Sequence, residues 1–381
     1  MPAETWAYYL FAIVMPTIAL WIAWHVTGRY LSPEKRLYGI ALLTLVPFYN
    51  FHALKFNVNT VLIPFWAATT WWFLRSLENR SAGWAALAGV GAAAAMLGKY
   101  WSIFLLAGLV VAALCDSRRR EYFRSPAPWL TIATGAVLIA PHVYWVATHD
   151  FEPIRYAFGA HPATRTLAAF YTLYFFGGIL AYIGGPLLLN LAAIRPSMAA
   201  VGDSIWPPPG GRRTISIALG APILLAALGS ILLKIRIGAL WTMSGMTLLP
   251  VVLLSSPLVT VPREAAIRVL ALALLYPIVV TAVSPGIALV THRTGVPNYA
   301  SHYQLIARAV ESDWSKRTNQ PLRVIRSYGP IVNGIEFYFE NPPSTLDIIT
   351  PELTRGLTMT ASNAKAPSSF APYRRQSAST P

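Results

Sequence analysis

Long apolar runs alternate with short polar connections over the first 290 residues of the chain. Most runs are close to the roughly 20 residues that an α-helix needs to cross the hydrocarbon core of a membrane. The pattern predicts ten membrane-spanning segments, at 6–26, 37–51, 57–74, 82–97, 100–115, 127–146, 167–194, 214–233, 238–256 and 266–289. We therefore predict an all-α polytopic membrane protein, with a bundle of about ten transmembrane helices in residues 1–290.

The pattern changes after Val290 and predicts a small α/β appendage outside the membrane, at residues 291–356. Apolar positions recur there at helical spacing, and two short runs follow or precede turn residues. The expected order is a helix at 301–317, a strand at 321–327, a helix at 332–340 and a strand at 343–349. Residues 357–381 are rich in Ser, Thr, Ala and Pro and predict a disordered tail.

The composition agrees with a membrane protein. Of the 381 residues, 55% are hydrophobic and only 12% are charged, whereas a soluble domain carries about 25% charged residues. The net charge of +15 resides mostly in short connections, so it indicates membrane topology and contact with anionic lipids. No nucleic-acid-binding motif accompanies it, and no nucleic-acid partner is expected. The one cysteine, Cys115, excludes an intrachain disulfide.

Positive charge also divides the connections into two sets, as the positive-inside rule predicts for a chain that starts outside. The inward set holds Arg29, Lys35, Arg36, Arg75, Arg80, Arg118, Arg119, Arg120, Arg124, Arg195, Arg212, Arg213, Arg263 and Arg268. The outward set is smaller and holds Lys55, Lys99, Arg155, Arg165, Lys234 and Arg236.

A polar cluster interrupts the apolar pattern at Pro47–Thr60. Polar groups cost several kcal/mol to leave unpaired in hydrocarbon, so this cluster must lie at a membrane surface or line a wet cavity. If the segment is a helix, His52, Lys55 and Asn59 lie on one face, and Asn57 lies close to them. The pattern favours a binding site, and the alternative is an ordinary loop whose long side chains reach the interface.

Three outward cations, at Lys55, Lys99 and Arg155, suggest what such a site would bind. A half-buried cation needs an anion, and the outward connections contain too few acids to provide one for each. Lys and Arg are common phosphate ligands, and a lipid headgroup or a polyprenyl phosphate is the nearest source of phosphate. For Lys99 alone, the alternative is a lysine that extends to the membrane interface.

The outward connection after the sixth run, at 149–166, carries further polar residues: His149, Asp150, Glu152, Arg155, Tyr156 and His161. One interpretation is an arginine that binds phosphate beside carboxylates. The other is a solvated loop with local acid–arginine pairs, which contribute about 0–1 kcal/mol each. The two interpretations remain open on the sequence alone.

Other chemistry has little support in the sequence. His52 and His149 lack the spacing of metal ligands, and no Walker A, GxGxxG, GxSxG or HExxH motif occurs. We therefore expect neither a metal ion nor another cofactor.

Three motifs, FHALKFNVNTVLIPFW (51–66), LGKYWSIFLLAG (97–108) and HDFEPIRYAFGAH (149–161), carry a family resemblance. The chain resembles bacterial glycosyltransferases of family 39, over roughly residues 1–290. These are similar to the protein O-mannosyltransferases, the aminoarabinose transferases of lipid A and the rhizobial lipopolysaccharide galacturonosyltransferases. The resemblance implies a GT-C fold in the bacterial inner membrane, with its appendage in the periplasm.

The resemblance also implies an activity: transfer of a sugar from a polyprenyl-phosphate-linked donor to a lipid or lipopolysaccharide acceptor on the periplasmic side. Lys99 would then lie near the donor phosphate, with Lys55 and Arg155 as further phosphate ligands. The side chains expected to line the cavity or its rim are His52, Asn57, Asn59, Tyr100, His149 and Tyr156.

The chain departs from the family pattern at its start. Family members carry a further N-terminal helix and an outer loop with an acidic residue, and here only Glu4 is near that position. We expect a family member that lacks its front and has impaired turnover, with Asp150 or Glu152 as a substitute general base. The alternatives are a transporter or flippase of a lipid-linked anion, which should show internal repeats, and a non-catalytic remnant of the family.

Overall fold

The computed structural model describes residues 5–159, 161–294 and 303–347. The chain divides into two compact units, one at Thr5–Pro285 and one that begins at Gly286, whereas the sequence places this boundary at residue 290. The tail predicted at 357–381 lies outside the described residues.

The first unit is helical throughout. Its helices are α1 (Thr5–Thr27), α2 (Pro33–Thr44), α3 (Val58–Asn79), α4 (Ala82–Gly98), α5 (Ile103–Cys115), α6 (Arg119–Arg124), α7 (Ala127–Thr148), α8 (Glu152–Gly159), α9 (Arg165–Ile194), α10 (Met198–Ile205), α11 (Gly211–Leu233), α12 (Leu249–Leu254) and most of α13 (Arg263–Thr294), whose last residues belong to the second unit. Short 3₁₀ segments lie at Pro47–Tyr49, Tyr100–Ser102 and Ala239–Leu248. The predicted all-α fold is confirmed, and each of the ten apolar runs coincides with helical structure over most of its length.

Five of the described helices are long and apolar enough to cross a membrane: Trp6–Thr27, Ala127–Thr148, Arg165–Ile194, Gly211–Leu233 and Arg263–Thr291. Three shorter apolar segments are Ala82–Gly98, Tyr100–Cys115 and Ala239–Leu254. In α7 and α13 only 6% of the apolar window is buried within the protein. Their exposed aliphatic and aromatic side chains are typical of a surface that faces lipid.

Small residues bring the helices of the core close together. Gly89 of α4 lies against the backbone of Thr131 in α7, and Gly108 of α5 lies against Pro222 in α11. A Cβ atom at either glycine would overlap its neighbour. Lipid tails are as apolar as the helix surfaces, so association inside a membrane relies on this kind of close packing.

The Pro47–Thr60 segment is not a helix, and the prediction that His52, Lys55 and Asn59 share a helix face was wrong. The chain forms a 3₁₀ turn and a loop there, and α3 begins only at Val58. Asn57 is the reason, since its side-chain oxygen accepts a hydrogen bond from the Asn59 amide (2.8 Å) and caps the helix. An asparagine that bonds its local backbone in this way competes with helix formation.

Charge-paired groups join the connections at one end of the unit, which we call the Glu78 end. The Glu78 carboxylate accepts a hydrogen bond from the Tyr30 hydroxyl (3.0 Å) and pairs with Arg29 (2.7 Å) and Arg75 (3.1 Å). These bonds fix the connection after α1 to the end of α3.

Asp116 plays the same role between α5 and α11. Its buried carboxylate accepts hydrogen bonds from Arg118 (2.9 Å) and from the Thr214 hydroxyl (2.5 Å). Burial raises the pKa of Asp116, but the hydrogen bonds from Arg118 and Thr214 outweigh it, so the pKa lies below its usual value. The group is therefore ionised and paired.

The second unit contains the predicted α/β appendage, and the order helix, strand, helix, strand is confirmed. Helix α14 (Tyr303–Arg317) is followed by β1 (Val324–Ser327), α15 (Gly329–Ile335) and β2 (Ser344–Asp347). The two strands pair in parallel. Ala307, Ile335 and Phe339 form the buried core of this unit.

Candidate functional site

Lys99 lies at the end of the unit opposite to Glu78, which we call the Lys99 end. Its ammonium group donates a hydrogen bond to the side-chain oxygen of Asn59 (3.1 Å) and lies 4.5 Å from the ring centre of Trp241. No carboxylate in the described part of the chain pairs with it. Burial lowers the pKa of Lys99 to about 8, because a low-dielectric environment disfavours the charged ammonium.

The local chain explains why Lys99 points to this place. Helix α4 ends at Gly98, and Lys99 takes an extended conformation before the 3₁₀ turn at Tyr100–Ser102. The Ser102 hydroxyl donates to the Ala95 carbonyl (2.7 Å) and accepts from the Trp66 indole (2.9 Å). These buried hydrogen bonds fix the turn that carries Lys99.

Trp241 connects Lys99 to the rest of the site. It lies in the 3₁₀ segment Ala239–Leu248, and its ring contacts the rings of Trp101 (4.5 Å) and His161 (5.4 Å). A ring face beside an ammonium stabilises the charge by a cation–π interaction.

Arg236 adds a second cation. Its backbone amide donates to the His161 carbonyl (2.9 Å), and the Ala163 amide donates to the Lys234 carbonyl (2.8 Å), so two connections run side by side. The Nε atom of Arg236 is buried and has no hydrogen-bond partner among the described residues. Its guanidinium lies 5.8 Å from the ring centre of Tyr171.

Both cations act on His161. Partial burial lowers the pKa of His161, and the positive charges of Arg236 and Lys99 lower it further. His161 is therefore neutral at pH 7, and neither cation pairs with a carboxylate in the described part of the chain. We call Asn59, Lys99, His161, Arg236 and Trp241 the Lys99 site.

Of the residues predicted from sequence, the structure brings Lys99 and Asn59 into direct contact. Lys55 is exposed at the same end of the unit, just before α3, and no described carboxylate pairs with it. Asn57 caps α3, and its amide donates to the Lys55 carbonyl (2.9 Å). His52 packs edge-on against Tyr182 of α9 (4.9 Å).

Tyr100 and His149 belong to a line of stacked rings along α7. The Tyr100 hydroxyl bonds to the His142 ring (2.8 Å), which stacks on Trp145 (6.1 Å), which in turn stacks on His149 (4.5 Å). The line therefore starts beside Lys99 and ends at the turn after α7.

Asp150, Glu152, Arg155 and Tyr156 are exposed on that turn and on α8. Neither acid forms an ion pair with Arg155 among the described residues, so the local pairing of the second interpretation is absent there. Asp150 and the following Phe151 both have positive φ angles, 53° and 54°. Two successive non-glycine residues in this region indicate a strained turn.

Sequence reasoning missed three members of the Lys99 site. Arg236 and His161 were visible as polar residues in outward connections, but nothing in the local pattern joined those two connections. Trp241 gave no signal, because tryptophan is common near the ends of membrane helices. Among the described residues, no group of three or more His, Cys, Asp or Glu side chains is placed to hold a metal ion.

Comparisons with known proteins agree with the fold, and the matching family model includes the first two motifs. The family model described as dolichyl-phosphate-mannose-protein mannosyltransferase matches residues 2–145. The lipopolysaccharide core galacturonosyltransferase RgtB of Rhizobium johnstonii is 31% identical over 139 residues, which cover 35% of this chain and 28% of RgtB. The lipid A galacturonosyltransferase RgtD of the same organism is 26% identical over 128 residues, 34% of this chain and 27% of RgtD.

Two solved structures share the fold. The crystal structure of ArnT from Cupriavidus metallidurans bound to undecaprenyl phosphate has a TM-score of 0.60 at 14% identity and covers 93% of this chain and 74% of ArnT. The apo structure of the same protein has a TM-score of 0.57 at 13% identity, with the same coverage. The chain is thus an all-α polytopic membrane protein with the fold of ArnT. The predicted resemblance to ArnT- and Rgt-like glycosyltransferases is confirmed.

Proposed function

We propose that this protein is a membrane glycosyltransferase that moves a sugar from a polyprenyl-phosphate-linked donor to a lipid or lipopolysaccharide acceptor. One observation carries the proposal: Lys99 and Arg236 are partly buried and both lie close to His161, and no described carboxylate pairs with either of them. A bound phosphate would provide the missing negative charge.

The relatives support this choice of ligand. One ArnT structure contains undecaprenyl phosphate, and RgtB and RgtD act on lipopolysaccharide core and lipid A. The charge distribution between connections favours an orientation in which the Lys99 end faces the periplasm of a bacterial inner membrane. Donor and acceptor would therefore meet on that side.

The geometry suits the departure of a phosphate. An acceptor hydroxyl would attack the anomeric carbon, the bond from that carbon to the phosphate oxygen would break, and the phosphate would leave with the electron pair. Lys99 and Arg236 would stabilise the charge that develops on the leaving oxygen. Asp150 or Glu152, on the exposed turn, would take the hydroxyl proton. Lys55 and Arg155 would extend the positive surface along which the donor enters.

The test compares Lys99→Ala and Arg236→Ala with the unmodified protein in membranes supplied with radiolabelled polyprenyl-phosphate sugar. We expect each variant to reduce transfer by about 100-fold, as the loss of one charge-stabilising donor does in other enzymes. Arg165→Ala is the matched control, since Arg165 is an exposed cation at the same end.

Transfer that is unchanged in both Lys99→Ala and Arg236→Ala would contradict the proposal. Measuring donor flux in proteoliposomes beside sugar transfer separates a transferase from a transporter or flippase. Flux without transfer would assign the Lys99 site to the second class.

A further inference from the structure

The appendage contains an open cleft that the proposed transfer reaction does not use. Its volume is about 650 Å³, within the range of about 300–1,000 Å³ that small-molecule sites occupy. The cleft lies along the C-terminal half of α14 and reaches the segments around Gln320 and Asn341. Phe339, which is buried in the core of this unit, forms part of its floor together with Leu322.

Trp314 gives the cleft an aromatic wall. The indole nitrogen of Trp314 donates a hydrogen bond to the Gln320 carbonyl (2.6 Å), which fixes the edge of the ring. The side chain is nevertheless 38% exposed. A large ring that is fixed at its edge and open on its surface offers a platform for stacking, at little cost in conformational entropy.

The polar groups around Trp314 are both donors and acceptors. Asn319, Gln320 and Asn341 contribute amides, and Ser312, Ser315 and Thr318 contribute hydroxyls. Sugar hydroxyls also donate and accept, and the C–H groups on one face of a pyranose ring form an apolar surface that fits an aromatic ring. A purely apolar ligand would leave these polar groups without partners.

The charges exclude a strongly anionic ligand. Arg308 is the only cation that lines the cleft, whereas Glu311 and Glu340 both carry negative charge. None of the three forms an ion pair with another described residue. The cleft therefore carries a net negative charge and disfavours phosphates and uronic acids.

We propose that this cleft binds a neutral pyranose unit of a glycan, stacked on Trp314. The site differs in location and in charge from the Lys99 site, and the bound sugar is not the one that is transferred. The glycan could belong to a glycolipid in the same membrane or to a free oligosaccharide, since both present the same ring chemistry.

The test is saturation-transfer-difference NMR on the full-length protein with the methyl glycosides of glucose, galactose and mannose. Lipid nanodiscs are required, because glucoside and maltoside detergents would themselves occupy a sugar site. We expect saturation of the ring protons of at least one glycoside. Trp314→Ala should weaken its binding about tenfold, whereas Trp314→Phe should retain most of it because the stacking surface remains.

Trp129→Ala is the matched control, since Trp129 is an exposed tryptophan of α7. If Trp314→Ala unfolds the appendage, Asn341→Ala is the second variant, and it should weaken binding about fivefold through one lost hydrogen bond. A glycolipid is then added to the nanodisc. If it competes with the methyl glycoside, the natural ligand is a membrane glycolipid; if it does not compete, the natural ligand is a free glycan.

Three results would overturn the proposal. The first is the absence of saturation transfer to all three glycosides at about 10 mM, a concentration well above the roughly 1 mM dissociation constant of a weak site. The second is binding that survives both Trp314→Ala and Asn341→Ala. The third is saturation of a lysine-rich peptide in place of the glycosides, which would assign the cleft to a protein partner. None of these results affects transfer by the Lys99 site, so the two proposals fail separately.

Discussion

The two ends of the helical unit differ in whether their cations have carboxylate partners among the described residues. At the Glu78 end, arginines meet carboxylates within hydrogen-bond distance, as in the pairs of Glu78 with Arg29 and of Asp116 with Arg118. At the Lys99 end, Lys99 contacts an amide and an aromatic ring, and Arg236 leaves a buried nitrogen without a described partner.

Under the proposed function, this difference separates charges that hold the fold together from charges that bind a ligand. When a half-buried charge is paired, the attraction of its partner offsets the free-energy cost of removing it from water. An unpaired, partly buried charge lowers the stability of the folded protein. A bound anion offsets that desolvation cost, and the offset contributes to the free energy of binding. Both ends are rich in cations, so cations alone do not indicate a binding site. The candidate site is indicated by the absence of described acids that pair with those cations.

The strongest test of the contrast removes the acid at the paired end. We expect Glu78→Ala to lower the free energy of unfolding by about 2 kcal/mol, because Arg29, Arg75 and the Tyr30 hydroxyl lose their common acceptor. Thermal unfolding in nanodiscs measures the effect. Glu264→Ala is the control, since the Glu264–Arg268 pair is largely exposed and its loss should change little. Equal shifts in both variants would mean that the Glu78 network does not hold the fold.

A second test makes the Lys99 end resemble the Glu78 end. Asn59→Asp would place a carboxylate about where the amide oxygen now lies, 3.1 Å from the Lys99 ammonium, and give that cation a permanent partner. We expect affinity for undecaprenyl phosphate to fall about 20-fold, because the ligand must compete with the new carboxylate and is repelled by it. Native mass spectrometry of the lipid-bound protein measures the affinity.

Asn57→Asp is the matched control for this variant. It adds the same charge two residues away, and Asp caps a helix as well as Asn does. A similar loss of affinity in Asn57→Asp would show that the overall charge, rather than the partner of Lys99, controls binding.

The smallest expected effect is a pH dependence of phosphate binding. The ammonium of Lys99 has a pKa of about 8, so it is protonated at pH 7 and mostly neutral at pH 9. Affinity for a polyprenyl phosphodiester, whose own charge is constant in this range, should fall about tenfold between these values. His161, whose pKa is lowered from 6.5, stays neutral throughout and adds no change.

Lys99→Arg should abolish this slope, since a guanidinium remains protonated in proteins. Binding that stays constant from pH 7 to pH 9 in the unmodified protein would show that Lys99 does not face the phosphate.

The sequence predicted the helices well because their signal is local. Apolar length defines a candidate membrane helix without reference to its neighbours. All ten predicted runs coincide mostly with helical structure, whereas five of the described helices are long and apolar enough to cross a membrane. The error at Pro47–Thr60 arose from one residue, Asn57, whose side chain caps α3 rather than continuing a helix. Helical periodicity alone does not reveal a cap of this kind.

The site was harder to predict because its parts come from four separated segments. Asn59, Lys99, His161 and Trp241 meet only when α3, α4 and the later connections are packed together. Lys99 was predictable as a cation beside an apolar run, but Arg236 required the pairing of its connection with the one at His161. The predicted acids at Asp150 and Glu152 remain candidates for the general base.

The length of α13 has a consequence for the way the protein responds to bilayer thickness. Its candidate membrane span of 29 residues, Arg263–Thr291, begins with charged residues and is roughly 44 Å long, whereas the hydrocarbon layer measures about 30 Å. The helix must therefore lean or emerge from the hydrocarbon by several residues. Because only 6% of its apolar window is buried, packing against the other described helices restrains that lean little, and a thinner bilayer should increase it.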